Sequence, residues 1–127
     1  MNLNQITLPV TDIEKANHFY LTLGFTQIVK SPHYSRFECA NNATFSLLLT
    51  NDTFSNGAII YFESEDLEKW VASLKAKGIE FNTEVIAQRY LWHEAKLTDP
   101  SGNQIKLYWA GHNRLNPPWR VDINLAV

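Results

Sequence analysis

Few side chains in this sequence stand where they could act together. The histidines, His18, His33, His93 and His112, are scattered, and no two have the spacing that grips a metal ion from one helix face. Cys39 is the single cysteine, so no internal disulfide forms, and it has no nearby partner for a thiolate site. The best constellation pairs an acid with a base. Asp99-Pro100-Ser101-Gly102-Asn103 is turn chemistry. Taken as a loop between two strands, it sets Thr98 opposite Gln104, Lys96 opposite Lys106 and Glu94 opposite Tyr108. Glu94 then lies diagonally from Lys106, within reach of a long side chain. A lysine held this way offers a positive charge to an anionic or carbonyl oxygen of a ligand. The two residues also read as an ion pair closing a smaller cavity, or as a lysine reaching solvent. A slip of one residue in the register would turn His93 inward instead.

The elements that must position this pair come in two similar halves. The first helix follows Thr11, which with Glu14 fits a capping box. Its apolar positions Ile13, Ala16, Phe19, Tyr20 and Leu23 recur at three and four, and Gly24 closes it. The second follows Ser64, with Leu67, Trp70, Val71 and Leu74 as its stripe, Lys75 and Lys77 near its end and Gly78 as its stop. Asp66-Leu67-Glu68-Lys69 repeats Asp12-Ile13-Glu14-Lys15 at an offset of 54, and Gly78 repeats Gly24 at the same offset. The strands Ile6–Val10 and Ile60–Ser64 keep that spacing. Strand-like runs follow each helix: 26–30, 34–39 and 44–49, then 81–87, 93–98 and 104–109. Each half thus reads strand–helix–strand–strand–strand. The expected organisation is one domain of two such units, about 3–52 and 57–110. An arm, 111–127, follows, irregular until a short extended end.

Strand alternation then sorts the faces. Ile6, Leu8 and Val10 are expected against the helix layer, leaving Gln5, Thr7 and Pro9 toward a cavity. Ile60 and Phe62 likewise leave Ile59 and Tyr61 inward, and Ile105 and Leu107 leave Lys106 and Tyr108. Trp92 shares the face of Glu94. The expected ligand-binding set is Gln5, Thr7, Leu48, Ile59, Tyr61, Trp92, Glu94, Lys106 and Tyr108, apolar and aromatic with a few polar groups, as small-molecule pockets are. The facing of Tyr34, Arg36, Phe37 and Glu38 is open.

Composition narrows the partners. With 127 residues, 45% of them hydrophobic and 19% charged, the chain is ordinary globular sequence. It can bury roughly two-thirds of its unfolded surface. A net charge of −2 gives no electrostatic reason to expect nucleic acid or an anionic membrane. No apolar run approaches the ~18 residues of a membrane span, and the start lacks a signal-peptide pattern. A cytoplasmic protein is expected.

Three motifs in order carry a resemblance: the strand into helix Ile6-Thr7-Leu8-Pro9-Val10-Thr11-Asp12, the helix end Phe19-Tyr20-Leu21-Thr22-Leu23-Gly24-Phe25, and the turn Asp99 to Asn103. With the paired βαβββ pattern, the chain over about 3–110 resembles the vicinal oxygen chelate superfamily of glyoxalases, bleomycin-resistance proteins and dioxygenases. The resemblance implies an α+β fold of two βαβββ modules whose mixed sheets curve around a central cavity, often completed by a second subunit, hence a homodimer. It also implies a divalent metal held from four strands. Matched residue by residue, those ligand positions are Gln5, Ile59, Leu48 and Lys106. Glutamine is an acceptable ligand. Isoleucine and leucine donate nothing, and an ammonium repels a divalent cation. The expectation is therefore a small-molecule binder with no metal centre and no cofactor. A lyase, isomerase or dioxygenase with an unusual or absent metal is the alternative, and a structural or regulatory dimer is a third reading. A net charge of −2 does not clearly supply the acidic groove that a cationic drug such as bleomycin needs.

Overall fold

Two edge strands each feed a helix that packs back on its own sheet. The structure, a computed structural model, describes residues 1–125. In the first half, β1 (Gln5–Val10) leads into α1 (Ile13–Leu23), then β2 (Thr26–Lys30), β3 (Tyr34–Glu38) and β4 (Thr44–Leu49). In the second, β5 (Ile59–Glu63) leads into α2 (Leu67–Ala76), then β6 (Ile86–Ala87), β7 (His93–Thr98) and β8 (Gln104–Trp109). The sheets have the same order, β1-β4-β3-β2 and β5-β8-β7-β6. In each, the first strand pairs in parallel with the last and the other pairs are antiparallel. This is the expected α+β arrangement of mixed sheets, and the sheets are not closed.

The helices start one step away from the expected caps. Asp12, rather than Thr11, caps α1, its carboxylate accepting from the Lys15 amide at 3.0 Å. Thr11 is drawn to the other half instead: its amide donates to Ser101 Oγ at 3.0 Å. At α2 the Ser64 hydroxyl accepts from the Asp66 amide at 3.1 Å, and the helix begins only at Leu67. Gly24 ends α1 at φ 109°, a left-handed conformation in which a Cβ is penalised.

The stripes of both helices bury into one core. Ala16, Tyr20 and Leu23 of α1 meet Phe37, Phe45 and Leu47, and Leu67, Val71 and Leu74 of α2 meet Leu97, Ile105 and Leu107. Phe62 joins the halves, its ring 4.5 Å from Phe25 and 5.4 Å from Phe45. Leu8 and Val10 are buried as expected, but Ile6 is 38% exposed. Ile6 lies in an open cleft between the halves, beside Phe25, Phe45 and Ile60.

Two segments depart from the expected pattern. The run 81–87 forms regular strand only at Ile86–Ala87. The cause is that Asn82 and Thr83 both donate their amides to the Lys96 carbonyl, so two residues oppose one as in a bulge. The arm is not wholly irregular, because His112–Leu115 make one helical turn, α3. The expected extended end includes Ala126 and Val127, which lie outside the described residues. Among the described residues no helix is long and apolar enough to cross a membrane.

Candidate functional site

The second sheet presents a charged pair inside an aromatic frame. The register is the expected one: Thr98 pairs with Gln104, Lys96 with Lys106 and Glu94 with Tyr108. β5 brings Tyr61 beside Lys106 and Glu63 beside Tyr108. Lys106 Nζ donates to Glu94 Oε1 at 2.9 Å, with side-chain exposures of 18% and 5%. That hydrogen bond raises the Lys106 pKa above its ordinary value against the opposing effect of burial. The ammonium also lies 5.6 Å from the centre of the Tyr61 ring. Trp92 stacks on Tyr108 at 4.8 Å, and Tyr61 stands edge-on to both.

Tyr90 completes the frame. Its hydroxyl donates to the same Glu94 Oε1, and its ring meets Trp92 edge-on at 5.8 Å. Burial, helped by the Glu94 charge, raises the Tyr90 pKa. Glu94 Oε2 is buried with no hydrogen-bond partner among the described residues. The arm roofs this region. Tyr61, Tyr90 and Trp92 line a hollow of about 330 Å³ with Asn113, Arg114, Pro117 and Trp119. Glu63 anchors the start of the arm, accepting from the Ala110 and Gly111 amides at 2.9 Å each, with Arg114 at 3.8 Å.

The first sheet carries a different, polar chain. Gln5 accepts from Thr44 and donates to Ser46 at 2.8 Å. Ser46 meets the Tyr34 hydroxyl, which accepts from Arg36 at 3.0 and 2.8 Å. The hydrogen bond with Ser46, and behind it Arg36, holds the Tyr34 phenol below its ordinary pKa. The facing left open in the sequence is thus decided: Tyr34 and Arg36 share the Gln5 side, while Ser35 and Phe37 are buried.

The nine expected pocket residues therefore divide. Tyr61, Trp92, Glu94, Lys106 and Tyr108 come together on the second sheet. Gln5, Ile59 and Tyr61 line the cleft between the halves, of about 570 Å³. Leu48 is half exposed, and Thr7 makes only a 3.5 Å contact from Gln5. Sequence reasoning left out Tyr90, Ser46, Tyr34, Arg36 and the roof residue Trp119. Tyr90 lies in an irregular loop, where strand alternation gives no facing.

The four positions matched to a metal site do not suit a divalent ion. Gln5 is already bonded to Thr44 and Ser46, Leu48 and Ile59 have no donor atoms, and Lys106 brings a positive charge. Among the described residues no group of three His, Cys, Asp or Glu side chains is placed to hold one. Cys39 stands apart, its thiol pKa raised by burial.

A model of the Glyoxalase/Bleomycin resistance protein/Dioxygenase superfamily matches residues 2–107. The chain belongs to that superfamily. Its solved relatives are distant in sequence and close in fold. A glyoxalase/bleomycin resistance protein/dioxygenase family enzyme from Burkholderia phytofirmans PsJN is 19% identical with a TM-score of 0.72, over 87% of this chain and 99% of that one. A structure described as lactoylglutathione lyase from Agrobacterium tumefaciens is 15% identical with a TM-score of 0.72, over 94% and 97%. A bleomycin-binding protein complexed with bleomycin is 18% identical with a TM-score of 0.70, over 86% and 98%. No curated protein matches the chain. At such identities these structures establish the shared superfamily fold and leave the chemistry to the residues.

Proposed function

We propose that this superfamily member binds a small molecule on the second sheet without the usual divalent metal. The observation that carries the reading is Lys106. Its ammonium stands where the family resemblance expects a carboxylate ligand, and Glu94 holds it at 2.9 Å. The pair gives a ligand one cationic donor in a mostly aromatic surround, which suits an anionic or carbonyl oxygen. The bleomycin-binding relative is a precedent for sequestering a small molecule on this fold. We further propose one domain of two modules, about 3–52 and 57–110, with the arm 111–127, acting as a cytoplasmic homodimer. Exposed Leu48, Ile59 and Trp119 supply apolar surface for a second subunit to cover.

A second reading has specific support. Gln5 keeps an oxygen donor, and one similar structure is described as lactoylglutathione lyase. That reading is a lyase, isomerase or dioxygenase with an unusual metal site. Metal analysis of purified protein equilibrated with Zn²⁺, Ni²⁺, Mn²⁺ and Fe²⁺ separates the two. Binding without metal gives no stoichiometric retention. Stoichiometric metal that is lost in Gln5→Ala overturns it in favour of the enzyme.

A further inference from the structure

We infer that the cleft between the halves is covered by the C-terminal tail of a second copy of this chain, Val121–Leu125, laid in as an extended strand. This rests on the homodimer proposed above and adds which segment joins the copies.

The cleft has the form of a strand site. β1 and β5 stand at the edges of their sheets, and among the described residues no strand pairs with the outer edge of either. Residues 3–6, which run into β1, and all of β5 line the cleft consecutively. Side chains of a strand alternate between its faces, so a run of neighbours lines a cavity only where the edge borders it. Such an edge offers amides and carbonyls that an added strand can bond. The walls between are apolar, with Phe25, Phe45, Ile60 and Phe62. Trp70, Gln5 and Glu63, which also line it, spend their polar groups within the chain. Trp70 donates its indole N–H to the Leu23 carbonyl at 3.0 Å, Gln5 is bonded to Thr44 and Ser46, and Glu63 holds the arm. What the cleft rewards is therefore apolar side chains on an extended backbone.

The tail has that chemistry. Val121, Asp122, Ile123, Asn124 and Leu125 alternate apolar and polar, the pattern of a strand with one buried face. The apolar three are 69%, 84% and 94% exposed, so the face lies uncovered in the single chain. Among the described residues no backbone hydrogen bond involves Val121 to Leu125. Extended, such a segment spans about 17 Å, and β5 has the same five residues of length. Arg120 fixes its root on the arm. Nη1 donates to the Leu115 carbonyl at 3.3 Å and to Asn116 Oδ1 at 2.7 Å, and Nη2 donates to Asp122 Oδ1 at 2.6 Å. One chain thus holds its tail in solvent and leaves its own cleft open. A two-fold dimer covers both at once, each copy giving a tail and receiving one.

The test is sedimentation velocity of the full chain and two variants at micromolar concentration. Ile123→Asp disables the tail at an exposed position, and Ile6→Asp disables the cleft. The expected result is a dimeric parent and variants that associate about tenfold more weakly or worse, the effect of a charge set into an apolar contact. Mixing the two variants should restore association, because the intact tail of one meets the intact cleft of the other. A dye-labelled peptide of residues 119–127 should bind the Ile123→Asp chain, and Ile123→Asp in the peptide should abolish that. Should Ile6→Asp fail to fold, the peptide arm still decides. A dimer as tight in Ile123→Asp as in the parent overturns the exchange and leaves the homodimer standing. No recovery on mixing, or no peptide binding up to millimolar concentration, overturns the cleft as the tail's seat. A monomeric parent overturns both, and peptide binding to its Ile123→Asp form would then mean that the tail serves its own cleft.

Discussion

Tyr20 donates its hydroxyl to Asp99 Oδ2 at 2.8 Å, tying the helix of the first half to the turn of the second. Both groups are buried. The same carboxylate accepts from the Ser101 and Asn103 amides at 2.9 Å and from Asn103 Nδ2 at 2.8 Å. Asn103 reaches on to the Pro9 carbonyl at 2.8 Å. Two motifs far apart in the chain are therefore parts of one hydrogen-bonded joint, which fixes how the halves meet. The joint also shapes the turn that sets the β7–β8 register, and so the position of Lys106 against Glu94.

Tyr20→Phe should weaken this joint without opening a cavity, since only the hydroxyl is lost. Asp99 keeps three other donors, so the expected destabilisation is about 1–2 kcal/mol. Asp99→Ala should cost more, because it strips the turn of its acceptor. Urea denaturation compares them, and a Tyr20→Phe protein as stable as the parent would mean the joint does not hold the halves.

The same phenol predicts a pH dependence. Burial first, then the Asp99 charge and hydrogen bond, raise the Tyr20 pKa far above the ordinary phenol range. The Glu94 hydrogen bond raises Lys106. A group whose folded pKa is raised stabilises fully below its unfolded pKa and loses that contribution as pH climbs above it. With unfolded values of about 10 for tyrosine and 10.4 for lysine, stability should hold near neutrality and fall above about pH 10. Melting temperatures from pH 8 to 11 measure this. Tyr20→Phe should flatten the alkaline fall, and an unchanged slope would refute the assignment.

Much of the architecture is legible in the sequence because it is written in local chemistry. The stripes of α1 and α2, the stops at Gly24 and Gly78, and the 54-residue repeat need no tertiary information. The β7–β8 register follows from a turn whose residues can be read directly. The misses arise where a distant partner competes. Thr11 has cap chemistry, but its hydroxyl turns to within 3.5 Å of Ser101 Oγ and Asp12 caps instead. Asn82 and Thr83 fit a strand, but both bond one carbonyl and interrupt it. In the site, strand alternation gathers the residues of each sheet. It does not tell which of the two open faces a residue serves, so the alternation groups Gln5 with Lys106 although they stand on different sheets. Tyr90 escapes strand alternation because it bonds Glu94 from a loop.

Gly24→Ala isolates a backbone effect. At φ 109° the residue sits where a Cβ is disfavoured, yet among the described residues nothing beyond the adjoining chain lies within 4 Å of where that Cβ would be. The penalty is therefore conformational, about 1 kcal/mol. Thermal denaturation should show that loss with the fold intact. A neutral result would mean the helix end relaxes to another cap.

Lys106→Met should be among the more damaging changes on the second sheet. Among the described residues Lys106 is the one cation bonded to Glu94, whose side chain is 5% exposed. Removing it strands a buried carboxylate with Tyr90 as its one remaining donor among the described residues. Breaking such a pair costs about 3 kcal/mol when one partner is left, whereas replacing both with apolar groups is often nearly neutral. Lys106→Met combined with Glu94→Leu should then recover most of the loss. A double-mutant cycle by urea denaturation gives the coupling. If the single and double variants are equally unstable, the damage lies in lost packing around Tyr61 and not in the stranded charge. If Lys106→Met costs nothing, the ammonium is dispensable to the fold.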